Sequence, residues 1–272
     1  MGPFTFDART RGPADGELVL LLHGFPQTSY AWRHQLDALG AAGYRAVAPD
    51  QRGYSPGARP AGVAAYHPER LVEDVIGMAD ALGADRFHVV GHDFGGLVAW
   101  HTGARHAERL ATLTAVSTPH PRAMARSILE GGEQAEKSSY MLFFQSPEAE
   151  GFFLDNDAAG LRGLYDGTGL GDTDEYVRVL DDRSAMTAAL NWYRALDRDV
   201  ITRMGAITTP TLYAWSTEDP ALGREAADET AQHVDGPYRF EILESVGHFI
   251  PEEAPDALNR LLLEHVGVPA GR

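Results

Sequence analysis

The stretch Gly91–Gly96, GHDFGG, decides how this chain folds. The apolar segment FHVV (Phe87–Val90) runs into it and LVAW (Leu97–Trp100) leaves it, so a strand, a tight turn and a helix follow one another. Gly91, Gly95 and Gly96 lack the Cβ that so sharp a turn would drive into its neighbours. A turn of this kind pushes its central side chain out beyond the sheet edge, and here that side chain is Asp93. Aspartate is also a good helix cap, so the hexapeptide taken alone leaves an ordinary capped turn open.

The flanking sequence repeats the same rhythm. ELVLLLHG (Glu17–Gly24) is a continuous apolar run ended by glycine, as in a strand buried on both faces. SYAWRHQLDALGAAG reads as a helix with a stop at Gly43, YRAVAPD as a strand, and PERLVEDVIGMADALG as a helix started by Pro68. RLATLTAVST is a further strand. Strands alternating with helices imply a parallel sheet covered on both faces. After STPHP (Ser117–Pro121) the rhythm stops, and the segments YMLFF, GFF and NWYRAL are helical and aromatic with no strand among them. Alternation resumes with TLYAW, a helix through GREAADETAQHV, the strand YRFEIL, and a last helix near Pro251. The interruption reads as a helical lid over the C-terminal edge of one sheet.

Composition narrows the function. The chain has 272 residues, 44% of them hydrophobic, enough for a sizeable core. With 23 Lys and Arg against 39 Asp and Glu the formal charge is −16, a field that repels nucleic acid and anionic membrane surfaces. Cysteine is absent, which removes disulfides, thiolate metal sites and a cysteine nucleophile. No His, Asp or Glu group has metal-ligand spacing, and GTGLG (Gly167–Gly171) follows no strand, so neither a metal nor a dinucleotide is expected. The opening residues carry no leader pattern and no apolar run approaches a membrane span, so a cytoplasmic protein is expected.

Three distant segments give Asp93 its context. HGFP (His23–Pro26) follows the first buried strand, WSTEDPAL (Trp215–Leu222) follows another, and GHFIPEEAP (Gly247–Pro255) follows the last. They supply a loop of backbone donors, an acid and a histidine, in the chain order nucleophile, acid, histidine. With AWRHQ, DQRGYS and NWYRAL, these motifs resemble the α/β-hydrolases, specifically the soluble epoxide hydrolase and haloalkane dehalogenase group, along nearly the whole chain. The resemblance implies an α/β-hydrolase fold with a mostly parallel sheet and a helical lid inserted after the sixth strand. The core would be residues 1–121 and 209–272, and the lid residues 122–208.

The chemistry implied is alkylation. A carboxylate is ionised near neutral pH and needs no base to activate it. Attack on an acyl carbonyl would give an uphill mixed anhydride, whereas attack on a saturated carbon with a strained or good leaving group gives a stable ester. By resemblance Asp93 is the nucleophile, His248 the base that activates water, and Asp219 the acid behind it, with Glu218 as competitor. The backbone amides of Phe25 and Phe94 would form the oxyanion hole. The family's lid tyrosines, which protonate the opened epoxide, correspond to Tyr193 in NWYR and to Phe143 in LFFQSP. The second is a departure that Tyr140, one turn earlier, could repair. Trp32, His120, Phe143, Phe144, Trp192 and Phe249 are expected around the substrate. The expected partners are water and a small apolar epoxide, or a halogenated substrate with the Trp192 indole on the halide, and a homodimer is left open. A binding protein that has kept the fold without turnover is the remaining reading.

Overall fold

The computed structural model describes residues 4–196 and 204–267. Seven strands form one sheet in the order β1-β3-β2-β4-β5-β6-β7. These are β1 (Ala8–Arg11), β2 (Leu18–Leu22), β3 (Arg45–Pro49), β4 (Phe87–His92), β5 (Leu110–Val116), β6 (Thr211–Ser216) and β7 (Tyr238–Leu243). All neighbours pair in parallel except β1, which runs antiparallel along β3 at the edge. Every residue of β2, β4, β5 and β6 is buried, because helices cover both faces and no position can face water.

The two faces have separate cores. On one, Val72 and Val75 of α2 (Pro68–Ala81) and Val98 and Trp100 of α3 (Phe94–Arg105) pack on Leu20, Val89 and Leu113. On the other, Leu36 and Leu39 of α1 (Arg33–Ala41) meet Val19, Leu21 and Val90. Among the described residues between β5 and β6 lie the helices α4 (Pro121–Glu130), α5 (Glu133–Lys137), α6 (Tyr140–Phe144), α7 (Ala149–Gly163), α8 (Asp174–Leu180) and α9 (Arg183–Arg194), and no strand of the sheet. Beyond β6 come α10 (Arg224–Glu229), α11 (Ile250–Glu253) and α12 (Pro255–Val266); Leu258 and Leu262 of the last complete the second core. Among the described residues no helix is long and apolar enough to cross a membrane.

Two expectations need correction. Among the described residues the helical insertion follows the fifth strand of this sheet, not a sixth, with only β1 ahead of β2. The final helix is two, since Ala254 breaks it ahead of Pro255, which starts α12. Parts of the expected lid (197–203) and core (1–3 and 268–272) lie outside the described residues.

The turn at the centre is as tight as its sequence implies. Asp93 has φ 52° and ψ −120°, a conformation that costs a side-chain-bearing residue roughly 1–3 kcal/mol and persists only where the surroundings impose it. Its N–H donates to Val116 O at 3.3 Å, and its carbonyl accepts from the amides of Gly96 and Leu97 and from Thr118 Oγ1 at 2.7 Å. A Cβ on Gly95 would lie 2.1 Å from the carbonyl oxygen of Leu22, so α3 reaches β2 only because that residue is glycine. Gly95→Ala therefore lowers folding stability by more than about 2 kcal/mol, read from the urea midpoint; an unchanged midpoint contradicts this packing.

Candidate active site

The side chains singled out in the sequence come from loops at the C-terminal ends of four parallel strands. Phe25 follows β2, Asp93 follows β4, Asp219 follows β6 and His248 follows β7. His248 Nδ1 lies 2.8 Å from Asp219 Oδ2, and its Nε2 lies 3.6 Å from Asp93 Oδ2. Asp219 is fully buried at its carboxylate, and its other oxygen accepts from the amides of Ala221 at 2.8 Å and Leu222 at 3.0 Å. Glu218 is exposed, so geometry separates the two neighbouring acids.

The far oxygen of Asp93 is equally constrained. Oδ1 accepts from the Phe25 amide at 2.9 Å, and the Phe94 amide also hydrogen-bonds to this carboxylate. The HGFP loop can come so close because Gly24 has no side chain: a Cβ there would sit 2.1 Å from Asp93 Oδ1. His23 anchors the loop from below, with Nε2 accepting from the Gln51 amide at 3.1 Å.

Charge organises the centre. Burial works against ionisation of Asp93, but His248 and the Phe94 amide outweigh it and hold the carboxyl below the usual range. Burial likewise opposes a charged His248, yet Asp219 and Asp93 together carry it up to about 10. Near neutral pH the cluster is therefore an imidazolium between two carboxylates.

Two apolar cavities of about 290 Å³ each open from Asp93. One runs beneath α4, against Met124, Ile128 and Leu129. The other lies among Phe144, Leu164, Phe249 and His248. Asp93, Tyr140 and Tyr193 line both. The two tyrosine rings are 6.5 Å apart, and Tyr193 packs edge-on against Phe25 and Phe94. Burial, then the negative charge of Asp93, raises both phenols well above their ordinary range, so they stay protonated donors.

Several residues expected around the substrate lie elsewhere. Phe143 faces outward and packs on exposed Phe152, since α6 turns Tyr140 and Phe144 inward instead. Trp32 is buried in the α1 and α12 core on the other face of the sheet. His120 caps α4 by accepting from the Arg122 amide and stacks on His233. Trp192 donates its indole N–H to Arg52 O at 2.8 Å, so it has no donor free for a halide. The sequence reading gave no role to Ser117, whose Oγ donates to the carbonyl of His248 at 2.9 Å, or to Tyr165, whose hydroxyl donates to Pro26 O at 2.8 Å.

A charged carboxylate on a strained strand-to-helix turn, two backbone amides on that carboxylate, and a histidine backed by a second acid define a site of the hydrolase class. Comparison gives the family: the model of the alpha/beta hydrolase family matches residues 19–261, and the chain belongs to that family. It is 36% identical to the AB hydrolase superfamily protein YfhM of Bacillus subtilis, over 96% of this chain and 94% of that one. It is 34% identical to epoxide hydrolase A of Mycobacterium tuberculosis, over 93% and 91% respectively. A solved structure, described among novel epoxide hydrolases from metagenomes of hot environments, superposes with a TM-score of 0.87 at 31% identity, covering 96% of this chain and 94% of that chain.

The charge arrangement has a measurable consequence. The folded pKa of His248 lies above its ordinary 6.5, so the stability this contributes is complete below about 6.5 and is lost as pH rises through about 10. Asp93→Asn removes one of the two attractions and lowers the His248 titration by about one unit or more in an NMR pH series. An unmoved titration contradicts the shared-imidazole arrangement.

Proposed function

We propose that this protein opens an apolar epoxide to a vicinal diol through an ester on Asp93. The observation that carries the reading is an ionised carboxylate, with Oδ1 held by the Phe25 amide and Oδ2 facing His248, beneath two protonated tyrosines that line both apolar cavities. In the first step Asp93 Oδ2 attacks an epoxide carbon and the carbon–oxygen bond breaks. The developing alkoxide takes its proton from Tyr193, with Tyr140 beside it as the second donor. Trp192 and Phe94 offer no free side-chain donor to a halide, so the dehalogenase reading lacks the contact it needs.

The second step follows from the change in charge. Once Asp93 is an ester, one of the two carboxylates that keep His248 protonated is gone, and its proton affinity falls. The imidazole can then return a proton through solvent to the tyrosinate left by the first step. Neutral His248, oriented by Asp219, takes a proton from water as that water attacks Cγ of residue 93. The oxyanion forms on Oδ1, which already accepts from the Phe25 amide, and the Phe94 amide is a further donor to this carboxyl. Collapse of this intermediate releases the diol and restores both the carboxylate and the imidazolium, so protons balance over the cycle.

The helical insertion acts as a cap in this reading, since α4, α6 and α9 bring the tyrosines and apolar walls. Each cavity is near the size of a small-ligand site, and their meeting at Asp93 suits an epoxide bearing apolar substituents. The relatives named epoxide hydrolase support the same substrate.

His248→Gln should form the ester without hydrolysing it, so intact-protein mass rises by the full mass of an apolar epoxide such as styrene oxide. Asp93→Ala should neither gain mass nor turn the epoxide over. Turnover by wild type with no adduct in His248→Gln contradicts the covalent route. Tyr193→Phe should slow alkylation about a hundredfold in stopped flow, and a rate equal to wild type removes that tyrosine from the reaction.

A further inference from the structure

The segment STPHP leads from β5 into the helical insertion, and the mechanism above uses none of it. Its first residue lies between nucleophile and histidine. Ser117 has φ 65°, a left-handed conformation that a side-chain-bearing residue keeps only where its neighbours impose it. Its N–H donates to Ala214 O at 2.8 Å and its carbonyl accepts from the Tyr213 hydroxyl at 2.9 Å. So anchored, its Oγ donates to the carbonyl oxygen of His248 at 2.9 Å.

The same carbonyl takes a second donor. His92, the chain neighbour of the nucleophile, places Nε2 2.9 Å from it, which requires the neutral Nε2–H tautomer. Burial, reinforced by the charge on His248, lowers the His92 pKa to about 4 and keeps the ring neutral. Both lone pairs of one peptide oxygen are thus taken by donors from β4 and from the end of β5. Other loop contacts come from elsewhere: Glu253 accepts from the amides of Gly247 at 2.7 Å and Phe249 at 2.9 Å, and Ser216 Oγ donates to Gly247 O at 2.7 Å. Of these loop contacts, only the carbonyl bracket ties the base to the strand that carries the nucleophile.

We propose that Ser117 and His92 are positioning residues for the hydrolytic step, holding the backbone of His248 so that its imidazole stays over residue 93 after the ester forms. Before alkylation, Asp93 and Asp219 attract the imidazolium from two sides. Ester formation cancels the first attraction, and the ring is left tethered at Nδ1, about which it can swing. The bracket acts on the peptide of His248 and does not depend on the charge of Asp93. Its loss therefore falls on hydrolysis and spares alkylation.

This inference rests on the ester mechanism, and kinetics separates the two. When only the second of two covalent steps slows, kcat and KM fall together and kcat/KM holds. Ser117→Ala should lower kcat and KM each about fivefold, the scale of one lost hydrogen bond, with kcat/KM unchanged and alkylated protein accumulating in rapid-quench mass spectra. His92→Leu should do the same, while His92→Gln, which keeps an N–H in reach, should recover most of the rate. If Ser117→Ala does not fold, the His92 pair carries the test. Wild-type kinetics in both Ser117→Ala and His92→Leu, or a fall in kcat/KM without adduct, overturns the inference alone, provided His248→Gln still traps adduct. No adduct in His248→Gln overturns the ester reading and this inference with it.

Discussion

One imidazole between two carboxylates is the interaction on which the site depends. Asp93 is only 14% exposed at its side chain, and a charge so far out of water is sustained by a fixed opposite charge. His248 supplies it at 3.6 Å, and buried Asp219 at 2.8 Å keeps His248 charged. The arrangement has a chemical cost, since a histidine that is already protonated cannot serve as a base. A hydroxyl nucleophile at position 93 would need that base at the outset. A carboxylate does not, and forming its ester weakens the hold on the histidine's proton. In the proposed reaction the nucleophile thus arms its own base.

The rest of the molecule meets the geometric demands of that pair. Parallel strands bring the four loops to one sheet edge, so residues far apart in sequence sit on rigid supports. The strained turn at Asp93 is held through Thr118 and the end of β5, and Gly24 and Gly95 let backbone approach where any side chain would block it. The helices between β5 and β6 then close an apolar space over the charged cluster. Excluding water strengthens each electrostatic contact inside and leaves the two phenols as the donors beside the proposed nucleophile.

Sequence and structure agree where local signals are strong. The six strands marked by apolar runs are present, as are the helices flanking GHDFGG and the long helical insertion. Strand β1 left no trace, because ARTR is exposed at every position and carries no hydrophobic pattern. It exists through pairing with β3, a long-range contact that periodicity does not report. The site was legible through motifs: HGFP, GHDFGG, EDPAL and GHF each placed a residue at the centre. Side-chain direction within helices was not. Position 143 points away from the cavity while Tyr140 and Phe144 point in, and Trp192 is consumed by a backbone carbonyl. The contacts of Ser117 and His92 were beyond reach because they end on a backbone oxygen of a loop more than a hundred residues away.

The central claim is that an oxygen of Asp93 bonds to a carbon of the substrate. A single turnover in oxygen-18 water with protein in excess reads this directly, by peptide mass spectrometry of the segment holding residue 93 and by mass analysis of the diol. Water attacking Cγ leaves the label in the Asp93 carboxyl, and the first diol carries the old carboxylate oxygen unlabelled. Label found only in the diol, with Asp93 unchanged, means that water attacked the substrate itself, and contradicts the account.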